Sequence, residues 1–245
     1  MISLALGIPR SATTWAFNVC RHLYDFQGKK YQIYNPSDAL EMDELIANLD
    51  LREDAIIHGH DLTPNLIKLA QFDHVRPFFN YRNPCDVVVS QIKLHDLSLE
   101  SAMEITGNAY TYLEPAMKLP GIMLIPYEHA TAQPEAIIYQ MATKMSLFLP
   151  LSKAKEIAEE TSYAKHKKVM EEVNTEGTEG VGVLYTARRQ IRFSETHLIN
   201  DRHLQSGKNG RWREELTPDQ QKQVLEKFTP LLKILGFESE TLAAA

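Results

Sequence analysis

The sequence predicts an α/β protein of three layers, α/β/α, with helices covering both faces of a mostly parallel central sheet. Three observations predict it. Short apolar runs alternate with amphipathic stretches along the chain, and strands separated by helices need right-handed crossovers that leave the strands parallel. The 245 residues are enough to bury a sizeable core. Polar or charged motifs follow residues 7, 57 and 81, and open parallel sheets collect ligands at the carboxyl ends of their strands.

Taken in order, ISLALG (2–7) is expected as a buried strand. Residues 13–26 follow as a helix with Trp15, Val19 and Leu23 on one face. YQIY (31–34) reads as a second strand. AIIHGHDL (55–62) runs from strand into loop, and Thr63 and Pro64 supply the N-cap and first position of a helix. RPFFNYR (76–82) is another strand, with a helix from Pro84. GIMLIPYE (121–128) is a further strand, with a helix over 133–149. Helical patterns also cover 98–117, 152–168 and 218–235. The segment 171–210 is rich in Glu, Gly and Thr, then turns basic at Arg188, Arg189 and Arg192. Its weak periodicity predicts a long loop or lid over a substrate site; disorder in part of it is the alternative.

Bulk properties exclude several classes. Hydrophobic content of 44% and charged content of 24% are ordinary for a globular chain. A net charge of −6 gives no general attraction to nucleic acid or to an anionic membrane, so neither is an expected partner. Cys20 and Cys85 are too few for a disulfide framework or a zinc cluster, which predicts a reducing, cytoplasmic setting. The first apolar run has no basic region before it, unlike a signal peptide. No stretch reaches the length of a membrane span.

Three motifs carry chemistry. Gly7 is followed by Ile8, Pro9, Arg10, Ser11, Ala12, Thr13 and Thr14, a strand–turn–helix like the loop G-x-x-x-x-G-K-[ST] that cradles phosphate on backbone N–H groups. Thr13 stands where that loop has its lysine, and Ala12 where it has its second glycine. In YRNPCDVVVSQ (81–91), Arg82 leaves a strand end and Ser90 lies about two turns into the next helix. An arginine and a hydroxyl so placed can clamp a phosphate; the alternative is Arg82 paired with Asp86 on a solvated surface. In HGHDL (58–62), His60 at a strand end can titrate near neutrality and accept a hydroxyl proton, with Asp61 as a possible orienter. The alternative is a loop histidine bonded to backbone. His58 and His60 alternate as metal ligands can, but no third ligand stands out, so no metal is expected.

Together these stretches resemble the sulfotransferases that use 3′-phosphoadenosine 5′-phosphosulfate (PAPS). PRSATTW (9–15) is similar to that family's P-[KR]-S-G-T-T-W loop, and YRNPCDVVVS (81–90) to its 3′-phosphate motif. TSY (161–163) resembles its T-S-F segment, and GKNGRWREELT (207–217) its closing R-K-G-x-x-G-D-W-K with L-T after it. HGHDL falls where cytosolic members carry K-T-H-L-P. The resemblance runs over almost the whole chain and implies one P-loop-like sulfotransferase domain spanning 1–245. The implied reaction moves a sulfuryl group from PAPS to a hydroxyl of an alcohol, phenol or sugar and releases adenosine 3′,5′-bisphosphate (PAP), without a metal.

The resemblance also implies roles. His60 is the general base and Arg10 faces the bridging oxygen of the donor. Ser11, Ala12, Thr13 and Thr14 surround the 5′-phosphate. Trp15 and Tyr163 flank adenine, with core packing the alternative for Trp15; Arg82 and Ser90 hold the 3′-phosphate, and Tyr127 lies near the nucleotide. Gly207, Lys208 and Gly210 close over the 3′-phosphate. The chain departs from the pattern at Gln205 and Ser206, which replace the R-K pair, and at Arg211, which replaces the aspartate. Arg202, Lys208, Arg188 or the Lys165–Lys168 cluster are candidate substitutes for the missing cations. No K-T-V-x-x-x-E dimer motif is evident, so the oligomeric state is left open. Two other readings compete. A catalytically silent PAP- or PAPS-binding module suits the altered closing motif but gives His60 no role. A P-loop kinase is disfavoured by Thr13 and by the lack of a strand-end aspartate for Mg²⁺.

Overall fold

The computed structural model describes residues 1–173, 180–185, 190–199 and 207–237. Five parallel strands form the central sheet in the order β2-β3-β1-β4-β5. They are β1 (Ile2–Gly7), β2 (Gln32–Tyr34), β3 (Ala55–Gly59), β4 (Val75–Tyr81) and β5 (Met123–Pro126). From β1 the chain runs out to the edge strand β2, returns to β3 beside β1, and then crosses to β4 and β5 on the other side, so the order reverses at β1. That reversal opens a crevice beyond the carboxyl ends of β1, β3 and β4.

Side-chain alternation along the strands feeds two cores. Ala5, Ile56 and Phe78 face one side, where they pack with Phe17, Val19 and Leu23 of α1 (Thr13–Phe26). Ile138 and Met141 of α8 (Pro134–Lys144) and Ile157 of α9 (Leu151–Glu160) complete that layer. Leu4, Leu6, Ile57 and Phe79 face the other side, against Met42 of α2 (Ala39–Asn48) and Leu66 of α3 (Pro64–Leu69). A third cluster joins α4 (Pro84–His95) and α5 (Leu99–Tyr110) to Trp212 of α11 (Trp212–Glu215) and Phe228 of α12 (Pro218–Ile234).

Several elements differ from the sequence reading. The stretch 98–117 divides into α5 and α6 (Leu113–Met117), because Thr111 Oγ bonds the Asn108 carbonyl at 2.6 Å and Pro115 has no N–H to continue the ladder. The strand ends at Pro126, and Tyr127 opens α7 (Tyr127–Ala132). The stretch 152–168 breaks after Glu160, where the Thr161 hydroxyl takes the Ile157 carbonyl at 2.8 Å and Ser162 Oγ accepts the Lys165 N–H at 3.3 Å. The next helix is α10 (Tyr163–Val173). Within 171–210, expected as loop, the end of α10 is followed by an antiparallel pair, β6 (Val181–Tyr185) and β7 (Gln190–Ser194). Arg188, Arg189, Arg202, Gln205 and Ser206 lie outside the described residues. No helix among the described residues is long and apolar enough to cross a membrane.

Candidate functional site

The turn after β1 is built by contacts with β4. A Cβ at Gly7 would lie 2.4 Å from the Asn80 carbonyl oxygen, so close backbone approach makes glycine necessary here. The Asn80 carbonyl also accepts the Ile8 N–H at 2.9 Å. Ser11 is fully buried, with its hydroxyl within donating reach of the Ile8 and Asn80 carbonyls at 2.5 and 2.9 Å. That hydroxyl pins the turn and does not face the crevice. Arg10 and Ala12 take left-handed backbone conformations, φ 71° and 68°, which swing the chain so that α1 starts at Thr13 with its N-terminus across the sheet edge. The Thr13 hydroxyl oxygen is buried and has no hydrogen-bond partner among the described residues.

The crevice encloses about 320 Å³, and Arg10, Ala12, Thr13, Thr14, Trp15 and His60 form its wall on this side. Arg82, Ser90, Tyr127, Tyr163, Gly207 and Arg211 line it as well. Arg10 Nε donates to Ser90 Oγ at 2.9 Å, joining the two motifs across the space. Arg82 is 4% exposed. Its guanidinium lies 4.0 Å over the Tyr127 ring and its Nη2 donates to the Lys208 carbonyl at 2.7 Å. Asp86 is 3.5 Å from the same Nη2, at the long limit of a bond. The stronger ties of Asp86 are to the N–H groups of Gly210, at 2.8 Å, and Trp212, at 3.2 Å. A solvated Arg82–Asp86 surface pair is therefore not what the structure contains. Arg82 Nε is buried with no hydrogen-bond partner among the described residues.

Burial first, then the Arg82 and Arg211 charges, lower Arg10 to about 10, still protonated at neutral pH. Three guanidiniums thus share one crevice and repel each other, an arrangement that a polyanion relieves. The Tyr127 hydroxyl donates to the Gly207 carbonyl at 3.2 Å. The Tyr163 ring would be 3.5 Å from a Cβ at Gly207. Gly207 and Gly210 have φ of 68° and 74°, which favours glycine in this turn. The Lys208 amine points outward, 4.0 Å from Glu214 and largely exposed, so only its backbone meets Arg82.

His60 opens onto the crevice. Its Nδ1 is 2.8 Å from the Gly7 carbonyl oxygen, which can only accept, so Nδ1 carries the proton and Nε2 keeps a lone pair. Desolvation by the surrounding protein depresses the imidazole pKa, the Gly7 bond and Asp61 oppose that, and the Arg10 charge adds to it. The net effect is a neutral ring at pH 7. Asp61 instead accepts the Tyr112 hydroxyl at 3.2 Å, so the group that orients His60 is the β1 carbonyl. His58 is buried, with Nδ1 2.7 Å from Asn35 Oδ1 and its ring edge-on to His60 at 5.4 Å.

Some lining residues escaped the sequence reading. Gln91, Leu94 and His95 line the crevice and share the face of α4 that carries Ser90, at the i, i+4 spacing that would have found them. His166 and Ile199 also line it; they come from the 163–199 region, where no motif pointed to them. In the sequence Arg211 stands out only as a departure from the resembled pattern.

The class defined by this geometry is a parallel α/β fold whose phosphate-type loop, two strand ends and a C-terminal turn meet around a cationic crevice. No protein-family model matches the chain, and no curated protein matches it. Solved structures do. Mouse sulfotransferase SULT7A1 complexed with PAP superposes with a TM-score of 0.70 at 17% identity, over 100% of this chain and 88% of that one. Retinol dehydratase with androsterone and inactive cofactor PAP gives 0.65 at 16% identity, over 95% and 80%. Its complex with retinol and PAP gives 0.65 at 16%, over 95% and 81%. This chain has the P-loop-like fold of those proteins.

Proposed function

We propose that the protein is a PAPS-dependent sulfotransferase acting on a hydroxyl of a small-molecule acceptor, an alcohol, phenol or sugar, in the cytoplasm. The observation that carries this reading is the His60 tautomer: a neutral imidazole with Nε2 free to accept a proton, held in the same crevice as Arg10, Arg82 and Arg211. A binding module has no need of a poised base.

The crevice suits the donor at both ends. Near α1, the unpartnered Thr13 hydroxyl and the first-turn N–H groups suit the 5′ end. Near β4, the unpartnered Arg82 Nε suits the 3′-phosphate. When bound, PAPS supplies the sulfuryl group and leaves as PAP. The chain does the rest by positioning and charge. His60 Nε2 takes the acceptor's hydroxyl proton while the Gly7 carbonyl holds the ring in orientation and stabilises the resulting imidazolium. Arg10, with Thr13 and Thr14, bears the negative charge that grows on the leaving 5′-phosphate; one such preorganised donor is worth ~3 kcal/mol of barrier. Trp15 and Tyr163 wall the adenine, and Tyr127 supports Arg82 from beneath.

Sulfur-labelled PAPS incubated with panels of phenols, alcohols, sugars and amines tests the reading. Label should pass to a hydroxyl acceptor, and H60A should lose roughly a hundred- to ten-thousandfold of that rate while PAP affinity stays within about twofold. PAP binding without any transfer across the panels would favour the catalytically silent module instead.

A further inference from the structure

The closing segment carries Gln205 and Ser206 where the pattern it resembles has two cations, and Arg211 where that pattern has an acid. Arg211 is 5% exposed and lines the same crevice as Arg82 and Ser90. Its position is fixed through both neighbours. Asp86 accepts the N–H of Gly210 at 2.8 Å and of Trp212 at 3.2 Å, and the same carboxylate lies 3.5 Å from Arg82. Residue 211 is therefore held on the Arg82 side of the crevice. Its own Nε donates to Glu215 Oε1 at 2.8 Å, and Lys93 holds the other Glu215 oxygen at 2.8 Å. The side chain is thus anchored on α11 and α4, two elements packed into one core.

We propose that Arg211 is the second cation of the 3′-phosphate site, so that the positive charge carried by the loop before Gly207 in the resembled pattern is supplied here from position 211. The inference rests on the PAPS reading above. Its consequence is specificity: Arg211 discriminates a nucleoside 3′,5′-bisphosphate from the 5′-monophosphate. An aspartate at 211 would oppose Arg82 for such a ligand, whereas arginine adds to it.

Calorimetric titration of the full-length protein with PAP and with AMP, which lacks only the 3′-phosphate, tests this. R211Q should lose PAP affinity on the order of 10- to 100-fold and leave AMP affinity unchanged, with the melting temperature measured alongside. Unchanged PAP affinity would overturn the proposal, as would equal loss for both nucleotides. If R211Q does not fold, R211K decides, since it keeps the charge and loses the planar fork. It should show a smaller loss confined to PAP, and a loss shared by AMP would again overturn the assignment. Wild-type protein that does not bind PAP at all would remove the underlying reading itself, an outcome visible before any variant is made.

Discussion

Ala12 occupies a left-handed backbone conformation with φ 68°, which costs a residue with a Cβ about 1–2 kcal/mol relative to right-handed geometry. A12G should therefore raise unfolding stability by about 1 kcal/mol, read as a higher urea midpoint at constant m-value. His60 gives a second prediction. Its pKa lies below the ordinary 6.5, and the base must be neutral to act. The acid limb of kcat/KM should accordingly fall below pH 6.5, with activity retained as pH rises; a limb at or above that value would contradict the neutral ring. At this scale the sequence was partly legible. Arg82 and His60 were picked out by charge and imidazole at strand ends, each with a structural alternative beside it, and Arg10 by the resemblance of its loop to a known pattern. The inward turn of Ser11 was not readable, because its partner, the Asn80 carbonyl, lies 69 residues away.

Elements add their own constraints. G7A should disrupt the register of β1 with β4, where Gly7 pairs with Asn80. The added Cβ meets backbone, which cannot swing aside. Circular dichroism melts should show a loss of about 1–3 kcal/mol, typical of overpacking, larger than for G107A in α5, where the backbone has no positive φ and a Cβ meets only Lys227 Cε at 3.7 Å. Near the hairpin of β6 and β7, burial and the neighbouring His197 and His22 depress His166 to about 4. Its protonation is resisted in the folded state, so no cost applies above pH 6.5. A cost on the order of 3 kcal/mol accumulates as pH falls from 6.5 to about 4. H166Q should flatten that part of the stability–pH curve. The buried strands were legible because both faces are apolar, as parallel sheets require. α2 was missed, although Met42, Leu45, Ile46 and Leu49 fall at helical spacing and pack on the same core; only Met42 is fully buried, and the acidic Asp43 and Glu44 interrupt the run. The hairpin strands are five residues each and pair locally, too short for alternation to stand out against a polar background.

Across the whole molecule, segments spread along the chain from Pro9 to Arg211 converge on the crevice, because the sheet order reverses at β1. Asp86 is the principal tie, reaching Gly210 and Trp212 over 124 and 126 residues. D86A should destabilise the fold, since it releases two N–H groups and leaves the buried Arg82 charge less balanced, and should weaken nucleotide binding by freeing the closing turn; a stability loss of about 3 kcal/mol is expected. The order of the motifs made this convergence readable in outline. The charge that Arg211 adds was not, because Arg211 becomes part of the crevice only when α4 and the closing turn pack together. The direct test of the account is calorimetry on the wild-type chain with PAP and, separately, with Mg·ATP. Saturable PAP binding without added metal, and far weaker binding of Mg·ATP, is the predicted result. Tight binding of Mg·ATP with no response to PAP would contradict it.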